Sequence, residues 1–162
     1  MPVRIVTADE RLSAAANKSS LAIFGPPGVG KTSLLKTLPV EPTVCLDLEA
    51  GMKSVQDWRG VSIPIRSFVD FRDLAVLIGG PDPAADPNAW YSGQHHQHVR
   101  GTYAGSGIEE FLASKSIIFV DSITDLTRQV MAYAKQQPEA FSERTGKPDT
   151  RGAYGLLGRE VI

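Results

Sequence analysis

Short continuous apolar runs alternate along this chain with stretches whose apolar residues recur at helical spacing. Ser20-Leu21-Ala22-Ile23-Phe24 reads as a buried strand halted by Gly25-Pro26-Pro27-Gly28, and Lys31 to Leu38 as a helix ended near Pro39. Thr43-Val44-Cys45-Leu46-Asp47-Leu48 predicts a second strand, and Val61 to Arg66 a third that Pro64 weakens. Asp70 to Ile78 predicts a helix with its stripe at Phe71, Leu74, Ala75, Leu77 and Ile78, closed by Gly79-Gly80. The clearest strand is Ser116-Ile117-Ile118-Phe119-Val120, ending in Asp121, and Ile123 to Gln137 is helical as far as Pro138. Strands that are apolar throughout and alternate with helices define a mostly parallel sheet covered on both faces, an α/β fold.

Two regions depart from this alternation. Pro81 to Gly107 is rich in Pro, Asp and Asn, and reads as an inserted mobile loop, residues 81–107. Residues 1–19 are polar and alanine-rich, a lead-in without a clear element. After the turn-rich Glu139 to Arg151, Gly152 to Ile162 reads as a helix just beginning. A doubly wound sheet normally carries about one or two further strands. The expectation is a single domain over 1–162, incomplete in its C-terminal strands.

Composition narrows the class. With 162 residues, 17 Lys+Arg against 18 Asp+Glu, 42% hydrophobic residues and one cysteine, the chain is an ordinary globular domain, neither disordered nor disulfide-stapled. A net charge of −1 leaves no global footprint for nucleic acid, so any such binding rests on a local patch or on assembly. No apolar run approaches the roughly 18 residues of a membrane span, and Met1-Pro2-Val3-Arg4-Ile5 lacks a signal-peptide pattern, so a cytoplasmic location without membrane contact is expected.

The strongest chemical signal is Gly25-Pro26-Pro27-Gly28-Val29-Gly30-Lys31-Thr32, a full match to G-x-x-x-x-G-K-[ST] between a predicted strand and a predicted helix. Its glycines let successive amides curl toward phosphate oxygens, and the following helix adds its positive end. Lys31 is placed to reach the β- and γ-phosphates, Thr32 to offer its hydroxyl to Mg²⁺, and Ser33 to bond a phosphate further back. Asp121 ends an apolar strand at the edge where open α/β sheets bind ligands, so it is the second candidate for Mg²⁺, through a water. An N-cap for the Ile123 helix, a role for Asp121 or Ser122, is the competing reading. Regulatory GTPases carry D-x-x-G here and many ATPases a glutamate after the aspartate, whereas this chain has Asp121-Ser122-Ile123-Thr124. The base for hydrolysis must lie elsewhere, or hydrolysis is absent. Leu46-Asp47-Leu48-Glu49-Ala50-Gly51 places Glu49 just past a strand on that same sheet edge, where a carboxylate can deprotonate a water in line with the γ-phosphate. A solvent-facing turn residue is the alternative for Glu49, and the role of Asp47 stays open.

Together these segments, Leu21 to Leu38, Thr43 to Gly51 and Ser116 to Leu126, resemble the RecA-type ATPase core. They are most similar to the phage nucleotide-binding ATPases of that type associated with single-strand annealing and recombination. The resemblance implies a P-loop NTPase with a RecA-like sheet, ATP and Mg²⁺ as ligands, Glu49 as catalytic glutamate, and Lys31 and Thr32 as nucleotide and metal contacts. It further implies Asp121 as the second metal-side carboxylate, single-stranded DNA as a partner, a homo-oligomer and, for a phage-encoded chain, the host cytoplasm. The γ-phosphate sensor strand, the DNA-binding loops and the basic residues that complete a neighbour's site are not identified before Ile162. Two other readings follow. A small-molecule or nucleotide kinase needs arginines in a lid, and the candidate lid has Arg100 alone. A nucleotide-binding module without hydrolysis would suit a shortened C-terminus.

Three lesser features have bland accounts as well. Gln94-His95-His96-Gln97-His98, with Asp82 and Asp86 nearby, invites a metal, but its spacing fits no defined site and a solvated loop explains it. Trp90, Tyr91, Arg100 and Tyr103 can stack on single-stranded bases or pack on the domain. Arg144, Lys147 and Arg151 are a small basic cluster suited to phosphate or to solvent.

Overall fold

The computed structural model describes residues 7–9, 19–142 and 144–161, in two compact units, Met1–Lys31 and Thr32–Ile162. The second unit holds three parallel strands, β1 (Thr43–Asp47), β2 (Val61–Pro64) and β3 (Ile117–Asp121), in the order β2-β1-β3. Its helices are α1 (Phe68–Gly79), α2 (Gly93–Thr102), α3 (Ile108–Ala113), α4 (Ile123–Ala134) and α5 (Thr150–Val161), with short 3₁₀ helices at Thr32–Thr37, Gly51–Val55 and Pro138–Ala140.

All five residues of β1 are buried, which a strand requires when it has a neighbour on each side and a layer on each face. The twofold alternation of side chains divides its contacts. Val44, Leu46 and then Leu48 join Ile65, Leu74 of α1 and Leu112 of α3 in one cluster, with Val120 and Leu126 packed against it. Cys45 points the other way, onto Leu35 and Val55 from the two 3₁₀ helices beside the sheet, with Phe119 against them. Each fully buried side chain of this kind contributes about 1.5–3 kcal/mol. The sheet is thus covered on both faces, as the apolar runs predicted.

Helix boundaries follow from local chemistry. The Ser67 hydroxyl accepts the Asp70 N–H at 3.2 Å to start α1, and Gly80, at φ +76°, stops it while its own N–H bonds the Val76 carbonyl. In the last helix, Ala153 and Leu156 pack on Ala134 and Ala140. A Cβ at Gly152 would overlap the Glu139 carbonyl, so α5 reaches the 138–140 turn only because that position is glycine.

Three expectations are corrected. Residues 19–26 form no strand, and Leu21 and Phe24 are 85% and 90% exposed. An apolar run becomes a strand only where an edge completes its backbone hydrogen bonds, and the described residues of the first unit offer no such edge. The helix expected over Lys31 to Leu38 is a single 3₁₀ segment, Thr32–Thr37, with Leu35 its buried residue. Segment 81–107, expected as a loop, carries α2. Ser92 caps that helix by accepting the His95 N–H, and His95 and Val99, four residues apart, are its buried face. The His95 ring accepts the Tyr91 N–H at Nδ1, 3.0 Å, and its Nε2 lies 3.2 Å from Asp73 Oδ1. Trp90 lies under the Arg72 guanidinium, 3.7 Å from ring centre to Cζ.

Candidate functional site

Because β1 and β3 run parallel and in register, their last residues, Asp47 and Asp121, lie side by side at the C-terminal edge of the sheet. Both are buried, at 5% exposure. The Thr32 hydroxyl donates to Asp121 Oδ2 at 2.7 Å, joining the last residue of the phosphate-loop motif to the strand-end aspartate 89 positions away. Ser122 caps α4 by accepting the Asp125 N–H, so Asp121 is not needed as the cap and its carboxylate faces Thr32. Thr32 and Asp121 together offer a hydroxyl and a carboxylate, hard oxygen donors of the kind Mg²⁺ takes.

The Glu49 turn is built onto the same aspartate. The Asp121 carbonyl accepts the Leu48 N–H at 2.7 Å and the Glu49 N–H at 3.2 Å. Asp47 Oδ1 accepts the Gly51 N–H at 3.2 Å, and Ala50 between them takes the left-handed conformation at φ +61°. The Glu49 side chain is exposed. One residue that sequence reasoning passed over belongs here: Arg66, whose guanidinium reaches Asp47 Oδ2 at 3.2 Å and the Asp47 carbonyl at 2.5 Å. An arginine just after a short strand carries no periodic signal, and only the bend after β2 brings it to β1.

In the first unit, Gly28 and Gly30 have φ of +77° and +96° with open space where a Cβ would sit. Glycine is required there by backbone conformation rather than crowding, as in an anion-binding nest. Pro26, Pro27, Val29 and the following Ser33 are exposed. Lys31 Nζ donates to the Gly25 carbonyl at 2.9 Å and to that of Pro26 at 3.0 Å, so the ammonium is folded onto its own loop.

Cys45, beneath the two aspartates, has its thiol pKa pushed up from 9.0 to about 12, by burial first and then by the charges of Asp121 and Asp47. Its folded value lies above its unfolded one, so the unfolded chain ionises first and its contribution to stability is lost as pH rises from 9.0 to about 12. Alkylation by iodoacetamide at about pH 8 is therefore expected only after denaturation, since the thiolate is the reactive form. Labelling of the folded chain at the rate of a free thiol would contradict this environment.

Among the described residues no group of three or more His, Cys, Asp or Glu can hold a metal ion, His95, His96 and His98 included. Arg100 pairs with Glu109 at 3.0 Å, while Arg144, Lys147 and Arg151 are exposed. No helix among the described residues is long and apolar enough to cross a membrane.

A parallel α/β sheet, a G-x-x-x-x-G-K-T loop and a strand-end aspartate bonded to the threonine of that loop define a P-loop NTPase domain. The family model described as AAA domain matches residues 17–162, and the chain belongs to that family of nucleotide-binding ATPase domains. No curated protein and no solved structure matched it.

Proposed function

We propose that this chain is an ATP-binding, Mg²⁺-dependent ATPase of the RecA type, acting on single-stranded DNA in recombination or annealing as a homo-oligomer. The observation that carries the nucleotide chemistry is the 2.7 Å contact of Thr32 with Asp121, whose carbonyl also anchors the Glu49 turn. Residues Gly25 to Ser33 take the triphosphate, and Lys31 exchanges its bonds to the Gly25 and Pro26 carbonyls for the β- and γ-phosphates. Thr32, and Asp121 through a water, would hold Mg²⁺, which would neutralise charge on the phosphate oxygens. Glu49 orients a water and takes its proton as the water oxygen bonds to the γ-phosphorus. The bond from that phosphorus to the β–γ bridging oxygen breaks, releasing ADP and phosphate. The DNA partner and the assembly rest on the sequence resemblance to RecA-type recombination ATPases.

The test is phosphate release from ATP, with and without Mg²⁺ and with and without single-stranded DNA. Turnover that needs Mg²⁺ and rises with DNA is the expected result. Tight ATP binding with no turnover would instead identify a nucleotide-gated binding module, and γ-phosphoryl transfer to added nucleosides or nucleotides a kinase.

A further inference from the structure

Within that reading, which makes Glu49 the base, we propose that Asp47 and Arg66 are the positioning residues that aim Glu49. The Glu49 side chain makes no hydrogen bond to any described residue, so what fixes the point and direction from which it projects is the turn that carries it. That turn is tied on one side by the Asp121 carbonyl and on the other by the bond from Gly51 N–H to Asp47 Oδ1. The Asp47 carboxylate is buried and lies in register with Asp121, a second buried carboxylate, and a carboxylate taken out of water calls for hydrogen bonds or an opposite charge beside it.

Arg66 supplies it in a two-pronged grip. Nη2 pairs with Asp47 Oδ2 at 3.2 Å, while Nη1 donates to the Asp47 carbonyl at 2.5 Å and the Ile65 carbonyl at 3.0 Å. Oδ2 is thereby held by the guanidinium, and Oδ1 is turned to the Gly51 N–H. The contacts run from Arg66 to Asp47 to the Gly51 N–H, and the backbone through Ala50 carries them to Glu49. A lysine keeps the charge but cannot reproduce a planar fork on carboxylate and carbonyl together.

The experiment compares Arg66→Ala, Arg66→Lys, Asp47→Asn and Glu49→Gln, with the double variant Arg66→Ala/Glu49→Gln, in nucleotide titrations and single-turnover hydrolysis. Arg66→Ala is expected to lower the hydrolysis rate about tenfold, with nucleotide affinity within about twofold of native. Asp47→Asn, which keeps an acceptor for Gly51 but loses the charge pair with Arg66 Nη2, is expected to behave likewise, and Arg66→Lys to recover part of the rate. In the Glu49→Gln background, Arg66→Ala is expected to cost nothing further, because its effect passes through Glu49. Equal losses in both backgrounds would overturn the inference, as would native turnover in Arg66→Ala beside a dead Glu49→Gln. Native turnover in Glu49→Gln would overturn the assignment of the base, and the inference with it. Amide hydrogen exchange supplies a readout without turnover. Exchange at Leu48, Glu49 and Gly51 is expected to quicken in Arg66→Ala while β1 stays protected, and unchanged exchange there would overturn the inference even in a chain that does not hydrolyse ATP.

Discussion

Replacing Glu49 with glutamine is expected to lower kcat for ATP hydrolysis by about 100- to 10,000-fold, the range that general-base catalysis contributes. Glutamine keeps the size and one carbonyl acceptor of the side chain, so a water can still be bound, but it cannot take the proton. The native fold is expected to be unaffected. Glu49 is exposed, and the ties that shape its turn run through the N–H groups of Leu48, Glu49 and Gly51 rather than through its own carboxylate. Nucleotide affinity should therefore stay within about twofold of native. Single-turnover hydrolysis beside a titration with a fluorescent ATP analogue separates the two quantities. A variant that hydrolyses ATP at the native rate would reduce Glu49 to a solvent-facing turn residue beside Gly51.

Much of this arrangement was legible before any coordinates. The four-residue apolar run of β3 and the run of β1 read as strands of a parallel sheet, and each strand ends in an aspartate, so parallel pairing leaves two carboxylates on one edge. The alternation in β1, with Val44 and Leu46 on one face and Cys45 on the other, follows from the pleat alone. What escaped depends on contacts between distant positions. Ser20–Phe24 has the composition of a strand, but pairing decides whether a strand exists, and composition says nothing of pairing. The α2 helix was hidden because its buried face is His95 and Val99, and a buried histidine bonded to Asp73 and the Tyr91 amide reads in sequence as one more polar residue. Asp47 was visible without a role until the bend after β2 brought Arg66 against it.

Replacing Lys31 with alanine is expected to weaken ATP binding about 10- to 100-fold, since a hydrogen bond to a charged group contributes about 1.5–3 kcal/mol, and to abolish turnover along with it. Among the described residues the ammonium is engaged by the Gly25 and Pro26 carbonyls alone, exposed acceptors that water can satisfy once the lysine is gone. The thermal midpoint of the nucleotide-free chain should accordingly be unchanged, while the stabilisation by ATP should be smaller in the variant than in the native chain, because the stabilisation a ligand confers grows with the logarithm of its affinity for the folded state. Thermal melts with and without Mg-ATP read both quantities in one experiment. The two substitutions then separate binding from chemistry: Lys31→Ala is expected to lose both together, whereas Glu49→Gln is expected to lose chemistry alone. Undiminished ATP stabilisation of the Lys31→Ala chain would mean that the triphosphate is held elsewhere. The positive φ of Gly28 and Gly30 would then describe a turn and not a phosphate cradle.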